Sequence, residues 1–347
     1  MRDILTDIQR WLAEDRPVAL ATVVQTWGSS PRAPGAKLAV TPAGGMAGSV
    51  SGGCVEGATF EAGVEALTIG HGRLVHYGVA DETAWEVGLA CGGSLDVFVQ
   101  PLDPGHITAV TQQVQAEAVY AVATLIKGPV EQLGVALVLS ESGQVVHGAL
   151  PTALAGVGLD AARAVLASGN SQRVVIGEGA ELFVEVAWPA PTLVVVGGVH
   201  TAITLTQLAR GIGYRTIVVD PRKAFGNPDR FPHVDQLITE WPDDALAQLG
   251  LSRATAIALL THDPKLDDPG LLVALRSPAF YIGALGGRST QEQRRVRLRE
   301  AGLTVEQLAR LRGPIGLDLG GRTPEEIAVS ILAEIVAARN GKTGRAP

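Results

Sequence analysis

The chain has 347 residues, 46% of them hydrophobic, and a formal net charge of −7. That length and apolar content suit two ordinary domains with their own cores and exclude a disordered chain; the acidic total excludes general nucleic-acid binding. Charge is uneven. Residues 1–190 carry 9 basic and 19 acidic groups, a balance of −10, whereas residues 191–347 carry 19 and 16, a balance of +3, so a phosphate-bearing ligand is expected mainly in the second half.

Ile4, Leu5, Ile8, Trp11 and Leu12 share one helical face. This opening lacks the basic-then-apolar order of a signal peptide, and no apolar run is long enough for a membrane span, so a cytoplasmic location is expected. Val18–Val24 reads as a strand delivering the loop 26–35, in which Trp27, small hydroxyls, Arg32 and prolines would suit an anion or a heterocycle as well as plain solvent. Lys37–Thr41 is the next strand, Pro42–Gly45 a turn, and a glycine-rich stretch leads to Cys54. Arg73–Tyr77 and Leu95–Val99 read as strands. So do Val119–Ile126 and Val135–Leu139, with a hairpin turn at 141–143, a helix within 151–168 and a closing hairpin at 173–188. No catalytic constellation appears between 106 and 190, which reads as scaffold continuous with the preceding domain.

Trp188–Pro191 reads as a linker. Beyond it strands alternate with helices: Leu193–Val196, Thr216–Val219, Thr255–Leu260 and Phe280–Ala284 are the strands. Such alternation predicts a parallel, doubly wound sheet with helices on both faces. The fold class is therefore α/β: a C-terminal Rossmann-like domain over 191–340 and an N-terminal α+β, cysteine-bearing domain with a strand-rich extension over 1–188. Residues 341–347 are expected as a disordered tail.

Only two cysteines occur, Cys54 in Ser51-Gly52-Gly53-Cys54-Val55-Glu56 and Cys91 in Cys91-Gly92-Gly93. A cysteine in an apolar chain is ordinarily a small buried hydrophobe. Flanking glycines point instead to a shared reactive or ligand-binding site, because they let a bulky ligand approach backbone and sulfur together. Val55, Ala58, Ala62 and Leu67 fall on one helical face, so Cys54 is expected to open a helix whose free N–H groups favour a thiolate. Neither a disulfide framework nor a zinc-type spacing is present.

In the second half, Gly197-Gly198-Val199-His200-Thr201-Ala202 is a strand-to-helix turn, and Asp220 ends the second strand where a Rossmann acid binds a ribose hydroxyl. Val199 at the second glycine place would crowd a pyrophosphate, so the fingerprint is degraded. Arg222, Lys265 and Arg288 are natural phosphate ligands at the carboxyl ends of the strands. His262 beside Asp263 is either a proton-transfer pair or a loop histidine capping backbone groups. Arg294, Arg295, Arg297 and Arg299 read mostly as a solvated helix face.

These blocks together resemble the XdhC/CoxI family, accessory proteins of xanthine dehydrogenase-type and carbon monoxide dehydrogenase-type molybdenum hydroxylases. The resemblance runs through Thr26–Arg32, Pro34–Lys37, Gly48–Glu56, Cys91–Gly93, Val219–Arg222, Phe231-Pro232, Thr261–Pro269, Tyr281–Gly286, Pro314–Leu319 and Thr323–Glu334. It implies a chaperone that binds molybdenum cofactor, as molybdopterin or in dinucleotide form. Such a chaperone supports the cofactor's sulfuration with a cysteine desulfurase and inserts it into an apo-molybdenum hydroxylase; a homo-oligomer is expected. Cys54 and Cys91 would then contact the metal or carry sulfur, with Gly52, Gly53, Gly92 and Arg32 around them. Gly197, Gly198, His200, Asp220, Arg222, His262, Asp263, Lys265 and Arg288 would hold the phosphate end. Where the family turn reads Gly-x-Gly-His-x-Gly, only Gly197 and His200 keep their places, which sets the phosphate farther from the turn or removes nucleotide binding in this member. Two alternatives remain open: an NAD(P)-dependent oxidoreductase using His262 and Asp263, and a docking protein that holds no cofactor.

Overall fold

The computed structural model describes residues 1–29, 32–78 and 92–343. The chain forms two compact units, Met1–Pro189 and Ala190–Pro347.

The first unit contains α1 (Leu5–Ala13), β1 (Ala19–Trp27), β2 (Lys37–Val40), β3 (Met46–Gly48), α2 (Glu56–Ile69), β4 (Arg73–Tyr77) and β5 (Ser94–Pro101). There follow α3 (Pro104–Gln115), β6 (Tyr120–Lys127), β7 (Ala136–Ser140), β8 (Val145–Gly148), α4 (Ala155–Ser168), β9 (Gln172–Gly177) and β10 (Ala180–Ala187). Helix α3, with Ile107 and Val110 turned into the core, was not anticipated among its strand-rich neighbours.

These elements make one motif twice. Each copy runs helix, three strands, helix, two strands, and each closes as a five-stranded antiparallel sheet, β3-β2-β1-β5-β4 and β8-β7-β6-β10-β9. The correspondence reaches individual residues. Thr22 faces Phe98 as Thr124 faces Phe183, and Val24 and Ile126 each stand at a bulge in the central pairing. Val24, Phe98, Ile126 and Phe183 meet in one buried cluster between the sheets. Gly48 and Gly148 each end a third strand at positive φ, where a Cβ would strike the carbonyl of the first residue of the neighbouring strand, Lys37 or Ala136. Between the sheets lies a buried ion pair, Lys37 Nζ to Glu185 Oε2 at 2.6 Å. Its counterparts in the other copy are the uncharged Ala136 and Gln100.

The antiparallel order has a consequence for the first sheet. The ends of β1, β3 and β4 and the starts of β2 and β5 all lie at one edge. The loops after Trp27, after Gly48 and before Ser94 therefore gather there.

The second unit contains β11 (Thr192–Val196), α5 (His200–Gly211), β12 (Arg215–Val219), β13 (Gln236–Ile238), α6 (Pro242–Gln248), β14 (Thr255–Leu259) and α7 (Pro264–Arg276). It ends with β15 (Tyr281–Ala284), α8 (Arg288–Glu300), α9 (Val305–Ala309), β16 (Leu311–Arg312) and α10 (Pro324–Arg339). All six strands are parallel, in the order β13-β12-β11-β14-β15-β16, which is the doubly wound order with its reversal between β11 and β14. Their valine-, isoleucine- and leucine-rich runs are buried on both faces, against α6–α9 on one and α5 and α10 on the other.

The arginine-rich face of α8 differs from the sequence expectation. Arg294 is only 2% exposed and pairs with Asp267 at 2.8 Å; Arg295 donates to the Leu308 and Leu311 carbonyls; Arg297 holds Asp268. The physical reason is Asp267, a wholly buried carboxylate on α7 that requires a cation beside it.

Candidate functional site

At the loop edge of the first sheet, Cys54 is a free, exposed thiol just ahead of α2, whose N-cap is Val55. Gly52 and Gly53, at φ +77° and +120°, turn the chain into it. The loop donors do not serve the thiol, contrary to the sequence expectation. They converge on Glu56. Its carboxylate accepts from the amides of Val50, Ser51, Gly52 and Gly53 at 2.8–3.2 Å, and from the hydroxyls of Ser49 and Ser51. Burial alone would raise the Glu56 pKa, but the Ser49 and Ser51 hydroxyls and the Ser51 and Gly53 amides outweigh it and hold it at about 2.

Two further segments join this loop. Arg32 donates from Nε to the Ser49 carbonyl at 3.2 Å. Gly93 leaves no room for a Cβ against Ser29, so Gly92 and Gly93 sit against the loop after β1. Cys91 itself lies outside the described residues. Trp27, 45% exposed, has its ring 5.9 Å from that of His76, and His76 Nδ1 is 2.7 Å from Asp96, which is fixed in turn by Arg173. Among the described residues no group of three or more His, Cys, Asp or Glu is arranged to hold a metal ion.

The second set of residues lies at the carboxyl edge of the parallel sheet, around the reversal between β11 and β14. Gly197, at φ +107°, packs against Thr261, and the Gly198 amide donates to Asp220 Oδ2 at 2.8 Å. Asp220 is fully buried and also takes the Arg222 amide, Nε and Nη2 at 2.7–3.0 Å. Burial opposes its ionisation, but the Arg222 side chain and the two amides hold its pKa below the ordinary carboxylate value. Arg222 also lies over the Phe225 ring, 4.0 Å from its centroid. The acid placed to meet a ribose is thus fastened to the turn and to Arg222. His200 opens α5 with Nε2 3.3 Å from Glu325 of α10.

His262 is exposed and holds a left-handed backbone, φ +62°, in the loop between β14 and α7. Asp263 caps α7 by accepting from the Lys265 amide at 2.9 Å; no hydrogen bond joins it to His262 among the described residues. Thr261 donates to the buried Asp267, linking this loop to Arg294. Lys265 and Arg288 stand exposed at the starts of α7 and α8.

The structure therefore gathers Arg32, Gly52, Gly53, Cys54 and Gly92 at one edge of the first unit, and Gly197, Gly198, Asp220 and Arg222 at the parallel-sheet turn of the second. Glu56, His76 and Asp96 were not singled out from the sequence. Glu56 had a signal, an acid in the first helical turn directly after a glycine-rich stretch; His76 and Asp96 had none, being paired only across strands. One prediction follows from the turn. Gly198→Ala would set a Cβ 2.5 Å from the Phe225 carbonyl oxygen. It is expected to cost about 1–3 kcal/mol, read as a lower urea midpoint.

The fold and these loops define a chain of two units, a cysteine-loop unit followed by a Rossmann unit. The "XdhC and CoxI family" profile matches residues 11–78 and the "XdhC Rossmann domain" profile residues 193–335; the chain belongs to the XdhC/CoxI family. It is 29% identical over 347 residues to a probable xanthine dehydrogenase subunit of Bacillus subtilis (strain 168), covering 98% of each chain. It is 26% identical over 339 residues to the "Molybdenum cofactor insertion chaperone PaoD" of Escherichia coli (strain K12), covering 97% of this chain and 88% of that one. A crystal structure described as a xanthine dehydrogenase from Bacillus halodurans shares the fold, with a TM-score of 0.76 at 22% identity over 99% and 98% of the two chains. Among the described residues no helix is long and apolar enough to cross a membrane.

Proposed function

We propose that this protein is a molybdenum-cofactor chaperone for a xanthine dehydrogenase-type hydroxylase. It takes the cofactor as cargo, supports its sulfuration together with a cysteine desulfurase, and passes it to the apo-hydroxylase; the chaperone acts as a homo-oligomer in the cytoplasm. Cys54, joined by Cys91, meets the metal and sulfur end of the cargo. Arg32 and the glycines beside the cysteines let it approach the backbone. The parallel-sheet edge, with Gly197, Gly198, His200, His262, Lys265 and Arg288, takes the phosphate end, as molybdopterin or as a dinucleotide.

The observation that carries this reading is an exposed, free cysteine on a braced glycine loop in a chain that matches an insertion chaperone nearly end to end. The nicotinamide alternative is favoured by no geometry: Asp220 is engaged by Arg222 and Gly198, and His262 and Asp263 form no bonded pair among the described residues.

The test is cofactor content after purification without air, in the original protein and in Cys54→Ala and Cys91→Ala. Near-stoichiometric cofactor that falls about tenfold or more in Cys54→Ala is expected, equivalent to about 1.4 kcal/mol of binding. Absence of cofactor from all three proteins would end the chaperone reading.

A further inference from the structure

We infer that Glu56 is a positioning residue for Cys54: its carboxylate fills the 49–53 loop as an internal anion and thereby turns the Cys54 thiol and amide outward. The inference rests on the reading of Cys54 as the cargo-facing thiol.

The loop's donors are allocated to Glu56. Four successive amides, Val50 to Gly53, point at one carboxylate. Ser51 Oγ, itself bonded to Glu56, accepts the Val55 amide at 2.9 Å, and Ser49 Oγ accepts that of Gly52 at 2.8 Å. Between Val50 and Val55 the one amide without a partner among the described residues is that of Cys54. Successive amides folded into such a concavity make an anion site; here the anion belongs to the chain.

The second sheet of the same unit provides an internal control. The other copy of the motif makes the same connection, from Gly148 at the end of β8 into α4, through Ala149-Leu150-Pro151-Thr152-Ala153-Leu154. It has no cysteine and no acid; Leu154, the N-cap of α4, carries no side-chain cap, as Val55 carries none in the first copy. Both copies nevertheless share the positive-φ glycine at the strand end and a left-handed glycine, Gly70 or Gly169, closing the helix. Strand, turn and helix therefore form without a carboxylate clamp. What distinguishes the copy with the clamp is that its loop presents a thiol.

Two variants test this, Glu56→Gln, of equal size, and Glu56→Ala, which empties the concavity, both in a Cys91→Ala background. Three quantities are read: hydrogen exchange of the 50–53 amides, the alkylation rate of Cys54 with iodoacetamide, and cofactor content beside that of Cys54→Ala. Exchange at 50–53 is expected to rise at least about tenfold in both variants, since hydrogen bonds to a charged group are the stronger kind, while β6–β10 keep their protection. Cys54 alkylation should slow several-fold as the thiol is no longer held outward. Added formate should reverse both changes in Glu56→Ala and neither in Glu56→Gln, where the amide side chain still fills the space. A residue that only filled space would show no rescue by formate.

Unchanged exchange and alkylation in Glu56→Ala, or changes that formate leaves untouched, would overturn the inference. Cofactor content decides the other question separately. If Cys54→Ala keeps its cofactor, the cargo-facing role of Cys54 falls, whereas formate-reversible alkylation of Cys54 would still support the positioning by Glu56.

Discussion

Arg294→Met is expected to destabilise the parallel-sheet unit by about 3–5 kcal/mol, the usual cost of leaving one partner of a buried ion pair alone. Arg294 does more than neutralise Asp267. Its Nη1 also donates to the Leu285 carbonyl and Gln291 Oε1, at 3.1 and 2.9 Å, while Asp267 accepts from Thr261. The variant would therefore loosen the loops after β14 and β15 together, and hydrogen exchange there should quicken along with a lower urea midpoint. Burial already pushes the Asp267 pKa up, against the pull of Thr261 and Arg294. Without Arg294 the native carboxyl would bind its proton more tightly still. A raised native pKa means the folded state holds more protons, so the variant's stability falls as pH rises through and above the ordinary carboxylate range. The deficit should thus be smallest in acid, and Asp267→Asn/Arg294→Met should recover part of it at neutral pH. An Arg294→Met protein as stable as the original at pH 7 would show that the pair contributes little.

The second large effect is acid sensitivity of the first unit through His106. This histidine on α3 is 8% exposed, and burial, aided by the nearby charges of His147 and Lys37, lowers its pKa to about 4 against the opposing pull of Asp103 and Glu185. The unfolded chain takes up this proton near pH 6.5, the native state only near pH 4. Stability contributed by the neutral ring is therefore complete above about pH 6.5 and is lost as pH falls from there towards 4, by about 3 kcal/mol in all. His106→Gln should flatten the pH dependence of the urea midpoint in that window. An unchanged slope would place the titration elsewhere.

Legibility in the sequence followed from how local each signal was. The valine-rich runs at 193–196 and 216–219 announced a parallel sheet because strands covered on both faces need continuous apolar sequence. Strands β13 and β16 gave no periodicity, being too short to show one. The doubled motif was hidden because its two copies differ where sequence is most visible: the segment between the last two strands runs from 78 to 93 in one and only over 178–179 in the other. What the copies share is dispersed, as in Thr22 with Phe98 and Thr124 with Phe183. Arg294 read as solvated because its partner lies 27 positions earlier on another helix. At the cysteine loop, the residue types were legible but not the destination of the donors, which depends on the left-handed turns at Gly52 and Gly53.

The occupied concavity ahead of α2 has a chemical consequence. A cluster of inward-pointing amides that carries its own tethered carboxylate meets dissolved phosphate, sulfate and nucleotides as competitors for a place already taken, at a local concentration about millimolar or higher by virtue of the tether alone. Such a loop is blind to the common anions of its surroundings. On the proposed reading of Cys54 as the cargo-facing thiol, its cargo would then be chosen for its fit to an open, glycine-lined face with a thiol, and not for its negative charge.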